Sequence, residues 1–121
     1  MSAVQARHDT PPLSAVFQAL ADDRRRHMIA RLAARPRTVS ELADPLGLRL
    51  PAALKHLAVL EAGGIVRSAK AGRIRTYSIR PDALSDVARW VAQCRATLTE
   101  AFDRLDAAIA EFPDPEPEQD T

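Results

Sequence analysis

The residues of this chain best suited to chemistry are cations beside a short predicted helix. Within residues 49–66, apolar residues recur at helical spacing and predict a buried side formed by Leu50, Ala53, Leu54, Leu57 and Leu60. The opposite side is predicted to carry Val59 and the candidate DNA contacts Arg49, Pro51, Ala52, Lys55 and His56. A slim helix that is buried on one side and basic on the other suits the major groove of DNA. An ordinary amphipathic core helix is the alternative interpretation.

A second group of cations lies in a predicted β-hairpin directly after this helix. The Gly63-Gly64 pair predicts a left-handed helix stop, Ile65-Val66 begins one strand, and residues 74–79 alternate in a second strand. The candidate DNA contacts of the hairpin are Lys70, Arg73 and Arg75. A basic hairpin placed after a reading helix can follow the phosphate backbone or enter the minor groove. Surface hairpins are also basic without a specific partner.

Residue types that catalyse reactions or bind metals form no matching pattern. The sequence has no phosphate-binding loop, no nucleophile elbow and no paired histidine and carboxylate, so no enzyme activity is predicted. The single cysteine, Cys94, cannot build a CxxC zinc site, and the three histidines share no ligand spacing with it. We therefore expect no metal and no cofactor.

Cysteine usage and hydropathy also limit the cellular setting. One cysteine excludes an intramolecular disulfide framework, which favours a reducing, cytoplasmic location. No run of 18 apolar residues occurs, and the N-terminus lacks the hydrophobic region of a signal peptide. The sequence thus predicts a soluble cytoplasmic protein with no membrane partner.

Short helices must position the candidate DNA-contacting residues. Residues 1–12 are predicted to form a flexible arm, followed by a helix over 13–20. Asp22 is the predicted N-cap of a helix from Asp23 to about Ala34, and Thr38 with Glu41 has the capping-box spacing for a helix over 39–44. Residues 44–47 then form a turn before the basic helix. This order predicts a helix-turn-helix.

The C-terminal third predicts a long dimerisation helix over residues 81–112. A heptad pattern assigns to the dimer interface Leu84, Val87, Val91, Cys94, Leu98, Ala101 and Leu105. A helix of this length, about 46 Å, exceeds what a domain of residues 13–80 can cover. The simplest occupant of the excess surface is a second copy of the chain. The alternative function for the whole protein is a protein-interaction module that keeps this helical scaffold and uses the long C-terminal helix to bind another protein. Cys94 could act as a thiol switch rather than only as a seam residue.

Charge is divided between the two parts of the chain. Residues 1–80 contain 14 Lys/Arg and 6 Asp/Glu, a net charge of +8, whereas residues 81–121 contain 3 and 10, a net charge of −7. This division favours a nucleic-acid surface and a separate interaction element. Residues 113–121 are acidic and proline-rich and are predicted to form a disordered tail.

Four segments resemble the ArsR/SmtB family of winged helix-turn-helix repressors. They are ALADDRRRHMIARL (19–32), VSELADPLG (39–47), LPAALKHLAVLEAGGIV (50–66) and GRIRTYSI (72–79). The resemblance implies a mainly α fold with a two-stranded β-wing at 13–80, a homodimer, and binding of double-stranded DNA at an inverted-repeat operator. It also implies that the reading helix spans residues 50–62 and the wing residues 67–75.

The sequence departs from this family in ways that affect function. Leu54 occupies a position where serine is common, which leaves base reading to Arg49, Lys55 and His56 and to methyl contacts from Pro51 or Ala52. The metal-binding motifs of the family's sensors are absent, because residues 41–47 lack cysteine and the last helix lacks histidine. The identity and existence of an effector stay open. A pocket around Phe17, Trp90 and Phe102 is one candidate, and core filling is the alternative use of those residues.

Overall fold

The computed structural model describes residues 11–112 of the 121-residue chain. The predicted acidic tail and all but Pro11 and Pro12 of the predicted arm lie outside the described residues. The elements in chain order are α1 (Leu13–Leu20), α2 (Asp23–Ala34), β1 (Arg37–Thr38), α3 (Val39–Ala43), a 3₁₀ turn (Asp44–Leu46), α4 (Leu50–Ala62), β2 (Val66–Ala71), β3 (Ile74–Ile79) and α5 (Ser85–Glu111). This is the mainly helical winged helix-turn-helix fold that the sequence predicts.

Local capping residues set the starts of α2 and α3. The Asp22 carboxylate accepts hydrogen bonds from the backbone N–H of Arg24 at 2.8 Å and of Arg25 at 3.3 Å. The Thr38 hydroxyl accepts from the Glu41 N–H, and the Glu41 carboxylate accepts from the Thr38 N–H, which completes a capping box. Both predicted caps are confirmed. The third helix is shorter than predicted, because residues 44–46 tighten into a 3₁₀ turn that ends at Gly47, with φ of 64°.

The predicted two-stranded wing is present and gains a third strand. β2 and β3 pair antiparallel from Val66 opposite Ile79 to Ala71 opposite Ile74, joined by a two-residue turn in which Gly72 has φ of 63°. β1 pairs with the other edge of β3, which gives the strand order β1-β3-β2. This short strand connects the wing to the residues that cap α3.

A small apolar core joins the helices to the sheet. It contains residues from each of the first four helices, from the start of β2 and from β3. The fully or almost fully buried side chains are Val16, Ala19, Met28, Leu32, Leu42, Ala43, Ala53, Leu57, Leu60, Ile65, Val66 and Tyr77. Removing this apolar surface from water is the main stabilising contribution that fixes α4 against the domain.

The long C-terminal helix starts later than the sequence predicts. Pro81 is followed by turns, with hydrogen bonds from Ala83 N–H to Arg80 O and from Ser85 N–H to Asp82 O. Leu84 has φ of 69°, a left-handed conformation that a helix cannot include, so α5 begins at Ser85 and the prediction that Leu84 belongs to the helix is wrong. The chain divides into two compact units after Val87. Among the described residues, no helix is both long and apolar enough to cross a membrane.

Candidate nucleic-acid interface

The exposed face of α4 differs from the predicted one. Ala53, Leu57 and Leu60 are buried as predicted, but Leu50 is 50% exposed and Leu54 is 45% exposed. Pro51 and Lys55 are exposed, Ala52 is partly buried, and Val59, predicted to face outward, packs against the core. The prediction that Leu50 and Leu54 are buried is therefore wrong. The outward edge of the first two turns is apolar, with Lys55 beside it.

Relative to the prediction, α4 is rotated about its axis so that Val59 faces inward and Leu54 faces outward. Packing against α1 explains this rotation. A Cβ atom on Gly63, at the end of α4, would lie 2.9 Å from the Ala19 Cβ atom and 3.1 Å from the Ala15 carbonyl oxygen. Gly63 has φ of −79°, so it is needed for close approach, and only Gly64, with φ of 70°, is left-handed. The close approach of α1 favours burial of the Val59 side of α4. Periodicity could not choose this side because α4 is apolar on both edges.

The apolar edge of α4 forms a groove with the wing. The groove has a volume of about 360 Å³. Its walls come from the start of α3, the first turns of α4 and the tip of the wing, and the lining residues are Thr38, Val39, Ser40, Leu50, Leu54, Arg73, Ile74 and Arg75. The structure thus brings the predicted wing cations Arg73 and Arg75 to a groove that they share with α4.

Most of the lysine and arginine residues predicted to contact DNA have no anionic partner among the described residues. Within residues 11–112, Arg49, Lys55, Lys70 and Arg73 form no salt bridge and no side-chain hydrogen bond. Arg75 donates from Nη1 to the Ser68 hydroxyl at 2.8 Å, which holds it along the wing. The guanidinium and ammonium groups of this surface are consequently available to phosphate oxygens.

His56 has an internal contact that the sequence does not predict. Its Nδ1 lies 3.2 Å from Nη1 of Arg25, whose Nε and Nη2 donate to the carbonyls of Ala19 and Gln18 at 2.8 Å each. Because arginine is always a donor, Nδ1 is the acceptor and Nε2 carries the proton in this arrangement. Arg25 thereby links the end of α1 to α4. Only one ring nitrogen of His56 is left for a contact with DNA.

The capping box formed by Thr38 and Glu41, next to the groove, is stabilised by charge interactions. The Thr38 backbone N–H, the Arg35 guanidinium and smaller contributions lower the pKa of Glu41 to about 2. Arg35 Nη2 donates to the Glu41 carboxylate at 3.0 Å. Burial, with the neighbouring charges of Arg35 and Arg31, lowers the pKa of Arg37 on β1. The capping box and the Arg35–Glu41 ion pair hold Thr38, one of the polar residues that line the groove.

Titratable residues elsewhere do not converge on a metal site. Among residues 11–112, no group of three or more His, Cys, Asp or Glu residues could hold a metal ion. Cys94 is a free thiol and is partly buried on α5. Of the residues proposed for an effector pocket, Phe17 is half-exposed on α1, and Trp90 and Phe102 are exposed on α5.

The predicted dimer residues fall into different environments. Val87 packs partly buried against the core of the first unit, and Leu84 lies in the preceding turn. The others lie on α5 beyond Val87, where Val91, Leu98, Ala101 and Leu105 are exposed and Cys94 is partly buried. Exposed aromatic and aliphatic residues widen this apolar face, namely Trp90, Phe102, Ile109 and, directly after the helix, Phe112.

Comparison with known proteins agrees with this architecture. A family model described as a helix-turn-helix domain matches residues 15–69. The HTH-type transcriptional regulator Rv2034 of Mycobacterium tuberculosis (strain ATCC 25618 / H37Rv) is 42% identical over 69 residues, which cover 57% of this chain and 64% of the relative. The match thus spans less than two thirds of that regulator's length.

Two solved structures extend the comparison. The ArsR family transcriptional regulator RHA00566 is 41% identical, with a TM-score of 0.68 over 72% of this chain and 90% of that chain. The homodimeric winged helix-turn-helix DNA-binding domain (fragment 1–100) of Mb0332 from Mycobacterium bovis is 32% identical, with a TM-score of 0.54 over 76% of this chain and 82% of that chain. The match to RHA00566 combines 41% sequence identity with coverage of 90% of that ArsR-family regulator. It shows that this chain belongs to the ArsR family of transcriptional regulators.

Proposed function

We propose that this protein is a homodimeric, sequence-specific DNA-binding repressor. The observation that carries the proposal is the groove between α4 and the wing, where an exposed helix edge and the cations Arg73 and Arg75 face the same space. In the proposed complex, the first turns of α4 enter the major groove. The wing, with Lys70 at its exposed edge, follows the backbone or enters the adjacent minor groove.

The proposed contacts divide into two classes. Arg49 and Lys55, predicted above as base readers, are assigned here to phosphates together with Arg73 and Arg75. These four cations supply affinity that does not depend on sequence. Pro51 and Ala52, at the start of α4, face base edges and contribute to sequence preference. His56 contributes through Nε2 alone, because its other ring nitrogen contacts Arg25.

Self-association is the proposed role of the exposed apolar face of α5. Monomeric soluble proteins rarely expose large contiguous apolar patches, and this face carries Leu98, Phe102 and Leu105 at helical spacing. The related Mb0332 domain is homodimeric. Binding to successive major grooves would require the two α4 helices of the dimer to lie about 34 Å apart, one turn of DNA.

Selection of duplexes from a randomised pool tests this proposal. The full chain should enrich an inverted repeat whose half-site centres lie about 10 base pairs apart. Enrichment of no sequence would overturn specific DNA binding, and enrichment of a single unrepeated half-site would overturn the dimeric mode. A second assay concerns repression: transcription in vitro from the promoter upstream of the chain's own gene should fall when protein is added. An increase would assign activation instead.

A further inference from the structure

The edge of α4 that faces the groove has an unusual chemistry for a helix that reads DNA. Leu50 and Leu54 lie one turn apart on the same face, half-exposed, and Ile74 on the wing is 60% exposed across from them. None of these side chains can donate or accept a hydrogen bond. Arg73 and Arg75 line the same groove, and within the described part of the chain no carboxylate lines it.

The partner that fits this edge is apolar at the contact and anionic around it. Bases present one apolar group in the major groove, the C5-methyl group of thymine, beside polar donors and acceptors. A leucine placed against a polar base edge would remove that edge from water without a replacement hydrogen bond, which costs free energy. A leucine placed against a methyl group gains from burial. The flanking cations favour a polyanion such as DNA over a neutral apolar peptide.

We propose that Leu50 and Leu54 are specificity-determining residues that read thymine C5-methyl groups in each half-site. This inference rests on the proposed DNA-binding function and adds the base class that the helix selects. Pro51 and Ala52 lie beside this edge, but Leu50 and Leu54 extend further from the helix and are the main methyl contacts. Ile74 forms the opposite wall of the groove and does not select a base.

Replacement of single thymines by deoxyuridine tests the proposal, because it removes the methyl group and keeps base pairing and the O4 acceptor. The probe is the duplex recovered from the randomised pool. Loss of one buried methyl contact should weaken binding about four-fold, and loss in both half-sites about fifteen-fold. Replacing the same thymine by cytosine should also weaken binding, and 5-methylcytosine should restore part of the affinity.

Variants assign the effect to the two leucines. Leu50 and Leu54 are half-exposed, so each can be replaced by alanine with little loss of packing. Each alanine variant should bind the thymine duplex and the deoxyuridine duplex with equal affinity when the substituted base is the one that the replaced leucine contacts. Glu61→Ala, at an exposed position near the end of α4 and outside the groove lining, is the control and should keep the four-fold preference. Thermal unfolding followed by circular dichroism checks that each variant is folded.

The possible outcomes separate this inference from the proposed function. Specific binding that tolerates deoxyuridine at every position overturns methyl reading and leaves DNA recognition intact. A methyl preference that survives in both leucine variants also overturns the assignment. If Leu54→Ala reduces self-association while the thymine preference is unchanged, the edge is a protein contact instead. Absence of binding to any duplex overturns the proposed function itself, and methyl reading with it.

Discussion

Arg25 is the side chain that ties the first helix to α4. Its forked guanidinium donates to two carbonyls at the end of α1 and contacts His56, three interactions that require a planar group with several donors. An ammonium group cannot make all three from one position. The residue belongs to a run of three arginines, and its neighbours Arg24 and Arg26 are exposed.

Arg25→Lys should lower the free energy of unfolding by about 1.5–3 kcal/mol, the range for losing hydrogen bonds to a charged group. Urea denaturation at neutral pH measures the change. Arg24→Lys is the matched control, because the Arg24 side chain forms no hydrogen bond within residues 11–112, and it should stay within about 0.5 kcal/mol of wild type. Equal effects of the two substitutions would show that Arg25 acts only as a surface charge.

Glu41 gives the domain a defined acid sensitivity. Its pKa is lowered from 4.5 to about 2 in the folded protein, so the unfolded chain binds a proton more readily than the folded one. The stabilisation is complete above the unfolded value and is lost as pH falls from about 4.5 towards about 2.

Glu41→Gln should therefore reduce the loss of stability between pH 4.5 and pH 2, measured by urea denaturation at several pH values. Glutamine keeps the capping-box geometry, so stability at low pH should change little. Glu100→Gln, on exposed α5, should keep the wild-type pH dependence. A steeper acid loss in Glu41→Gln than in wild type would contradict the assignment.

Whether a side-chain contact can be predicted from the sequence depends on how many residues separate its two partners along the chain. The caps at Asp22 and Thr38 are visible in the sequence because their partners lie two or three residues away. The contact between Arg25 and His56 joins residues 31 positions apart, and no local pattern signals it. A histidine predicted to face only DNA therefore has a structural partner.

At the scale of elements, the rotation of α4 decides which side chains can reach a ligand. Gly63 permits α1 to approach, and this approach accompanies burial of Val59 and exposure of Leu54. Helix existence and bounds were predictable from periodicity and from Pro51 in the first turn. The buried side was not, since a helix that is apolar on two edges has no unique inward stripe.

Gly63→Ala should destabilise the domain by about 1–3 kcal/mol, because its Cβ atom would collide with Ala19 and the Ala15 carbonyl. Ala19→Gly removes one of these contacts, at a cost of about 1 kcal/mol for glycine within a helix. The double variant should be more stable than the sum of the two single effects. Chemical denaturation of all four proteins in a double-mutant cycle measures the coupling. Strict additivity would contradict the close approach.

Two further elements illustrate why element-scale prediction is incomplete. β1 has two residues, too short for an alternating pattern, and exists through its pairing with β3. Leu84 fits the heptad pattern, yet it adopts a left-handed backbone before α5 begins. The seven-residue repeat in the sequence therefore extends into the turn that precedes α5, although the helix itself begins only at Ser85.

At the scale of the whole molecule, the charge division predicted from composition has a structural counterpart. The cations without salt bridges described above lie on α4 and the wing or beside them, whereas α5 carries an apolar face among five acidic residues and three arginines. The proposed DNA surface and the proposed dimer surface are therefore built from different elements of the chain. Substitutions at the proposed DNA surface should consequently leave self-association measurable, whereas loss of the dimer should also weaken DNA binding.

Leu98→Asp should convert the dimer into a monomer, because it would place two carboxylates at the apolar seam of the proposed interface. Sedimentation equilibrium of the full chain measures the mass. Thr99→Asp adds the same charge at the next position, outside the heptad stripe, and should remain dimeric. A monomeric wild-type protein, or dissociation of both variants, would refute the proposal that the heptad stripe of α5 forms the dimer interface.

The most direct test of the central claim is the salt dependence of DNA affinity, measured by fluorescence anisotropy on the selected duplex. Four phosphate contacts per subunit predict a slope of log K against log salt near −7 for the dimer. Lys55→Ala should flatten the slope by about 2 and weaken binding to selected and scrambled duplexes alike. Substitutions of Pro51 or Ala52 should instead change preference between sequences. A slope near zero, or a Lys55→Ala slope equal to that of wild type, would contradict the account.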